Sequence, residues 1–186
     1  MTRLTFLGVL GGAIARGGDH RDPFRILRPD LDVRAEQAKR EAAGQPNELR
    51  IDDFYPDALP ALRDLRSAGY LVGVVGNQPS RTTAVLEALD VELDLAASSA
   101  DWGVEKPDPA FFQRIATELR LPAGEIAYVG DRVDNDVRPA AAVGMAAIFI
   151  RRGPWAWIQA GPDDPPEATA SIDGLDELVS LFAAAG

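Results

Sequence analysis

From Pro56 onward the sequence alternates two kinds of segment, and this alternation constrains the fold more than any other feature. Short apolar runs at Tyr70–Val75, Leu93–Ala97, Ile126–Val129 and Ala146–Ile150 read as strands. Between them lie stretches with apolar residues at helical spacing. Residues 57–68 carry Leu59, Leu62 and Leu65, and Gly69 ends that helix. Residues 80–89 turn Val85, Leu86 and Leu89 inward. Asp108-Pro109 supplies an N-cap and a first-turn proline ahead of Phe111, Phe112, Ile115 and Leu119. A helix over 133–143 stops at Gly144, and a strand near Ala168–Ile172 precedes a last helix at 174–184. Wholly apolar strands are buried on both faces, and strand–helix–strand repetition gives a parallel sheet with helices on both sides. The fold class is α/β.

The segment before Pro56 differs in character. Leu4–Leu10 is a short apolar run ending in Gly11-Gly12, expected as the first, central strand. Arg3, the apolar run and Ala13-Ile14-Ala15 also resemble a signal peptide. The strand is preferred, because without it a parallel sheet would lack a central member. Residues 16–53 are polar, rich in Arg and Asp, and broken by Gly17-Gly18, Pro23, Pro29, Gly44 and Pro46. Leu31–Ala43 is their best helix. The expected organisation is a core domain of residues 1–15 and 54–186 with a small insertion, 16–53, covering the sheet edge.

Composition removes several kinds of chemistry. No cysteine is present, which excludes disulfides, thiolate metal sites and cysteine nucleophiles. His20 is the only histidine, so neither a Ser-His-Asp triad nor a multi-histidine metal site is expected. A net charge of −10 argues against nucleic acid as a partner. No apolar run reaches bilayer length, so no membrane partner is expected and the location is read as cytoplasmic. Arginine outnumbers lysine seventeen to two, so each lysine asks for a reason.

In open parallel sheets ligands bind at the carboxyl ends of strands, here residues 8–12, 76–78, 105–108 and 130–136. The third of these holds Glu105-Lys106-Pro107-Asp108-Pro109, and the fourth holds Gly130-Asp131-Arg132-Val133-Asp134-Asn135-Asp136. These segments resemble the later active-site loops of the haloacid dehalogenase superfamily, and the likeness spans nearly the whole chain. The resemblance implies a Rossmann-like sheet with a small, mostly helical cap. It also implies a phosphohydrolase site with four contributions. These are an aspartate nucleophile with a second aspartate two residues on, a Ser or Thr, a Lys, and one or two acids that hold Mg²⁺. Attack by a carboxylate gives a phosphoaspartate, and the developing charge needs Mg²⁺ and Lys beside it.

Carried over residue by residue, the likeness assigns Asp131 and Asp136 to the metal and Lys106, Asn77 and Gly76 to a phosphoryl or other anionic group. Gly76 stands where the family has a hydroxyl, leaving only its backbone N–H as a donor. Gly8 and Leu10 fall at the nucleophile and acid/base positions, and no acid precedes Asp19. The expectation is therefore an impaired or inactive phosphatase that still binds a small phosphorylated ligand, with weak Mg²⁺ binding or none. A direct Lys106–Asp131 salt bridge is expected to plug such a site. Two other readings stand beside this one: an active Mg²⁺-dependent phosphohydrolase using a displaced acid, and a structural or partner-binding protein. The charges of Asp19-His20-Arg21-Asp22 and Asp52-Asp53 are read as solvated loops. Trp155 and Trp157 are read as rim packing, with a homo-oligomer interface as the alternative. Gly161 to Pro166 reads as a loop.

Overall fold

A computed structural model describes residues 2–45, 50–160 and 163–185. Pro46 of the insertion, and Gly161 and Pro162 of the expected loop, lie outside the described residues. Five short strands alternate with helices, and every strand pair is parallel. β1 (Gly73–Gly76) pairs with β2 (Leu95–Ser98), with Gly73 opposite Leu95. β3 (Ala127–Gly130), β4 (Ala146–Ile150) and β5 (Ala170–Ile172) form a second sheet with β4 in the middle. No hydrogen-bonded pairing joins the two sheets among the described residues.

Two apolar clusters form the core, one on each face of the β3–β4–β5 sheet. On one face Tyr128, Ala147 and Phe149 meet Phe111, Phe112 and Ile115 of α7 (Pro109–Leu119) and Ala140 of α8 (Arg138–Ala142), with Val75 and Leu95 packed at the margin. Trp102, Phe111, Phe112 and Tyr128 form a run of tilted and edge-on rings with centroids 4.9–5.6 Å apart. Such pairs add about 0.5–1.5 kcal/mol each beyond area burial. On the other face Ile148, Ile150 and Ile172 meet Leu65 of α4 (Ala58–Ser67) and Leu178 of α10 (Leu178–Ala185), with Val72 and Val129. The fold is thus a parallel α/β sheet layer with helices on both sides.

The local signals act as the sequence suggests. The Asp108 carboxylate accepts from the Ala110 N–H at 2.9 Å and Pro109 opens α7, a cap contributing about 1 kcal/mol. Gly144, at φ 88°, ends α8 in the left-handed region that favours glycine. α5 (Arg81–Glu87) buries Leu86. The sequence reading passed over α6 (Ser99–Trp102), one turn in which the Ser98 hydroxyl and the Asp101 carboxylate cap each other's backbone N–H.

The first strand is corrected. Arg3–Ile14 is a helix, α1, and contributes nothing to either sheet. The Thr2 hydroxyl accepts from the Thr5 N–H and starts it. Its carboxyl end buries Ala13 and Ile14, and a Cβ on Gly11 would touch Ile158 of α9 (Gly153–Gln159) at 3.8 Å. Phe6 stacks on Phe24 of α2 (Asp22–Leu27), with ring centroids 5.2 Å apart. An apolar run without polar alternation fits a strand buried on both faces and a helix equally well, so neighbours decide. Here they decide for helix, and Leu4 remains 81% exposed. α3 (Val33–Ala42) falls within the expected Leu31–Ala43 and buries no residue.

Candidate active site

Three of the four expected strand ends converge. Asn77, just after β1, grips the backbone of Lys106 with both side-chain atoms. Its Nδ2 donates to the Lys106 carbonyl at 2.9 Å, and its Oδ1 accepts from the Lys106 N–H at 2.8 Å. This carboxamide stands in for a strand partner and fixes the 105–108 loop against the end of β1. The Lys106 side chain then runs inward, only 12% exposed, and its Nζ donates to Asp136 Oδ1 at 2.5 Å. Asp136, the one buried acid among the described residues, also accepts from the Arg132 N–H at 3.1 Å.

Two features place Asp136 there. The chain after β3 makes a widened turn over Val133–Val137, in which the Val137 N–H reaches the Arg132 carbonyl at 3.1 Å. Such i→i+5 turns are rare and cluster at functional positions. The turn also folds Asp136 back over Gly130, where an added Cβ would sit 2.3 Å from the Asp136 Cβ. Gly130 is therefore needed for close approach rather than for its dihedral angles.

The expected Lys106–Asp131 salt bridge is corrected, because this wrapped turn delivers Asp136 to Lys106 instead. Asp136 likewise pairs with neither nearby guanidinium. Arg132 binds Asp134 through both ends at 3.2 and 2.9 Å, and Arg138 binds Glu167 at 2.8 Å. Asp131 is half-buried, and no other described residue donates a hydrogen bond to its carboxylate. Burial and the nearby Asp136 charge push its pKa up. Burial works against the charged Lys106, but the Tyr128 hydroxyl and Asp136 outweigh it and hold the ammonium above its ordinary range.

Gly8 and Leu10 do not join these residues. Both lie on α1, which packs on α2 and α9, and a Cβ on Gly8 would meet nothing within 4 Å. Their assignment to the nucleophile and acid/base positions is corrected, since it required a strand where the chain forms a helix. Gly76 lies at the end of β1 beside Asn77, and a Cβ there would find only Gln78 Cγ, at 3.8 Å. The loop charges close on themselves. Asp22 accepts from the Asp19 N–H, Asp19 from the Arg21 N–H, and Asp53 from the Arg50 N–H.

Sequence reasoning overlooked Tyr128 and gave Trp155 no contact with the 130–136 loop. The Lys106 ammonium lies 5.6 Å from the Tyr128 ring centre, and burial raises that phenol to about 12. An inward position on β3 next to the 130–136 loop was the signal available for Tyr128. Trp155 carries the Arg132 guanidinium 5.1 Å from its ring centre. Trp157 is exposed.

A buried lysine–carboxylate pair beside Asp131 thus lies at the carboxyl ends of parallel strands, where open α/β sheets bind their ligands. The model of the haloacid dehalogenase-like hydrolase family matches residues 12–144, and the chain belongs to that family. It is 35% identical over 131 residues to glyceraldehyde 3-phosphate phosphatase of Methanopyrus kandleri, covering 68% of this chain and 55% of that protein. It is 34% identical over 137 residues to (S)-2-haloacid dehalogenase 4A of Burkholderia cepacia, covering 69% and 55%. The chain thus spans little more than half the length of these relatives. A HAD phosphatase structure from Thermococcus onnurineus superimposes with a TM-score of 0.62 at 24% identity, over 96% of this chain and 89% of that one. That likeness concerns the fold alone.

Proposed function

We propose that residues 1–186 carry the phosphoryl- and cation-binding part of a phosphohydrolase site for a small phosphorylated molecule. The observation that carries this reading is the Lys106–Asp136 pair at 2.5 Å beside a half-buried Asp131 to which no other described residue donates. A desolvated carboxylate next to another acid is unfavourable unless a cation or proton meets it. Asp131, with Asp136 behind it, suits Mg²⁺, which takes one or two carboxylates and completes its shell with water and phosphate oxygens. No group of three or more acids or histidines suited to an ion occurs among the described residues, so affinity without phosphate would be weak. When bound, Mg²⁺ would neutralise charge on the transferring group.

The chain's own residues divide the remaining work. Lys106 faces the anion as a compact ammonium, fixed through its backbone by Asn77 and through its side chain by Asp136. On this reading the backbone N–H groups at Gly76 and Asn77, at the end of β1, would be the other donors to the anion. The attacking carboxylate is the missing part. Asp136 is buried and already bonded twice, and α1 brings no acid to the site. On this reading no phosphatase turnover is expected of residues 1–186.

Calorimetric titration with inorganic phosphate, with and without Mg²⁺, tests the proposal. Phosphate is expected to bind only with Mg²⁺ present. Lys106→Ala and Asp131→Asn should each weaken that binding about tenfold or more. Unchanged affinity in both variants would refute it. With p-nitrophenyl phosphate no turnover is expected; Mg²⁺-dependent turnover abolished by Asp131→Asn would instead make Asp131 the displaced acid of an active enzyme.

A further inference from the structure

Gly153 is the one left-handed glycine among the described residues whose added Cβ would meet another group. Its φ is 69°, and the Cβ would sit 3.2 Å from Asp131 Oδ2. That is closer than ordinary van der Waals contact, so the carboxylate would have to move by a few tenths of an ångström. For the other left-handed glycines, Gly144 among them, the added Cβ would meet nothing within 4 Å. Gly153 follows β4 and opens α9, and the rest of that segment lies along the same loop. The Trp155 ring carries the Arg132 guanidinium at 5.1 Å, and the Gln159 side chain lies against the Asp134 carboxylate. Arg152 anchors the segment, bonding the Asp57 carboxylate at 2.8 Å and covering the Tyr55 ring at 4.7 Å. The chain after β4 is thus a fixed wall for the loop after β3.

We infer that Gly153 is a positioning residue for Asp131, and that it sets the preference of the site for a small, rigidly coordinated cation over a larger one. The inference rests on the cation reading of Asp131 proposed above. The Asp131 carboxylate is half-buried, and a side chain at residue 153 would occupy the space that its Oδ2 now borders. Mg²⁺ demands near-ideal octahedral geometry at about 2.0–2.1 Å, whereas Ca²⁺ accepts about six to eight oxygens at about 2.3–2.6 Å in flexible arrangements. A displacement of a few tenths of an ångström is therefore a large error for the first ion and a small one for the second. Groups that orient a metal ligand without touching the metal tune affinity in this way. Two glycines divide the work here: Gly130 admits Asp136 to Lys106, and Gly153 leaves Asp131 its place.

The test compares Gly153→Ala with Gly144→Ala, which imposes left-handed strain at the other end of β4 without a neighbour to strike. Phosphate binding is titrated in Mg²⁺ and in Ca²⁺. Gly153→Ala should weaken Mg²⁺-supported binding about tenfold. Ca²⁺-supported binding should fall by about twofold or less. Gly144→Ala should leave the ratio between the two ions unchanged. In the metal-free chain, the carboxyl carbon resonance of Asp131 should move in Gly153→Ala and stay in place in Gly144→Ala. If an alanine variant does not fold, Gly153→Asn and Gly144→Asn repeat the comparison, since asparagine tolerates the left-handed region and its Cβ stands in the same position. An equal loss with both ions, the same change of ratio in both variants, or an unmoved Asp131 resonance would each overturn the inference. A parent chain that binds no phosphate with either ion would instead refute the phosphoryl reading, and the metal-free resonance would then decide the role of Gly153 alone.

Discussion

β4 and α1 are built from nearly the same material and end in opposite environments. Ala146–Ile150 and Leu4–Leu10 are both short and almost wholly apolar. β4 has strands on both edges and helices on both faces, and Phe149 is fully buried. α1 packs on α2 and α9, and Leu7 is 58% exposed. The difference teaches that burial comes from neighbours and not from composition. It also divides the molecule energetically into a closed half around β3, β4 and β5 and a thinly held N-terminal layer.

The largest expected effect is at the centre of the closed half. Phe149→Ala should cost about 4 kcal/mol, the range for a phenylalanine truncated in a packed core. Denaturant unfolding measures it. A loss near 1 kcal/mol would mean that this core collapses around the cavity, and the contrast with α1 would weaken accordingly.

The same contrast explains what could be read from the chain. Ala146–Ile150 was legible to the residue, and α7 was legible from Asp108-Pro109, because cap and pattern are local signals. The 76–78, 105–108 and 130–136 loops were legible as one site because parallel strands bring their carboxyl ends together. The partner of Lys106 was not legible. Choosing Asp136 over Asp131 depends on the widened turn at Val133–Val137 and on Gly130 admitting it. Nor was α1 legible, since helix and buried strand share one apolar pattern and only absent or present neighbours separate them.

A middle-sized effect tests how the closed half is tied to the helix before β1. Asp57, at the start of α4, pairs with Arg152, which follows β4, and accepts from the Leu175 N–H at 2.8 Å. The Arg152 guanidinium holds the Asp57 carboxyl below its usual range, against burial, which acts the other way. A depressed folded-state pKa stabilises the fold above the ordinary carboxylate value near ~4 and ceases to do so as pH falls through the depressed value. Asp57→Asn should therefore cost about 2 kcal/mol at neutral pH. Its stability should converge with that of the parent chain as pH drops below about 4. A penalty independent of pH would assign the effect to packing instead of charge.

The smallest effect is the most discriminating for α1. If Leu7 contributes as little as its exposure implies, Leu7→Lys should change stability by no more than about 0.5 kcal/mol, the range for substitutions outside packed sites. Lysine is as good a helix former as leucine within a few tenths of a kcal/mol, so helicity should persist. The same substitution on a strand buried on both faces would desolvate a charge and cost several kcal/mol. The measured value therefore separates the two conformations open to this run. A loss of about 3 kcal/mol or more would place Leu7 inside the sheet layer, make it the counterpart of Phe149, and remove the difference between the two halves.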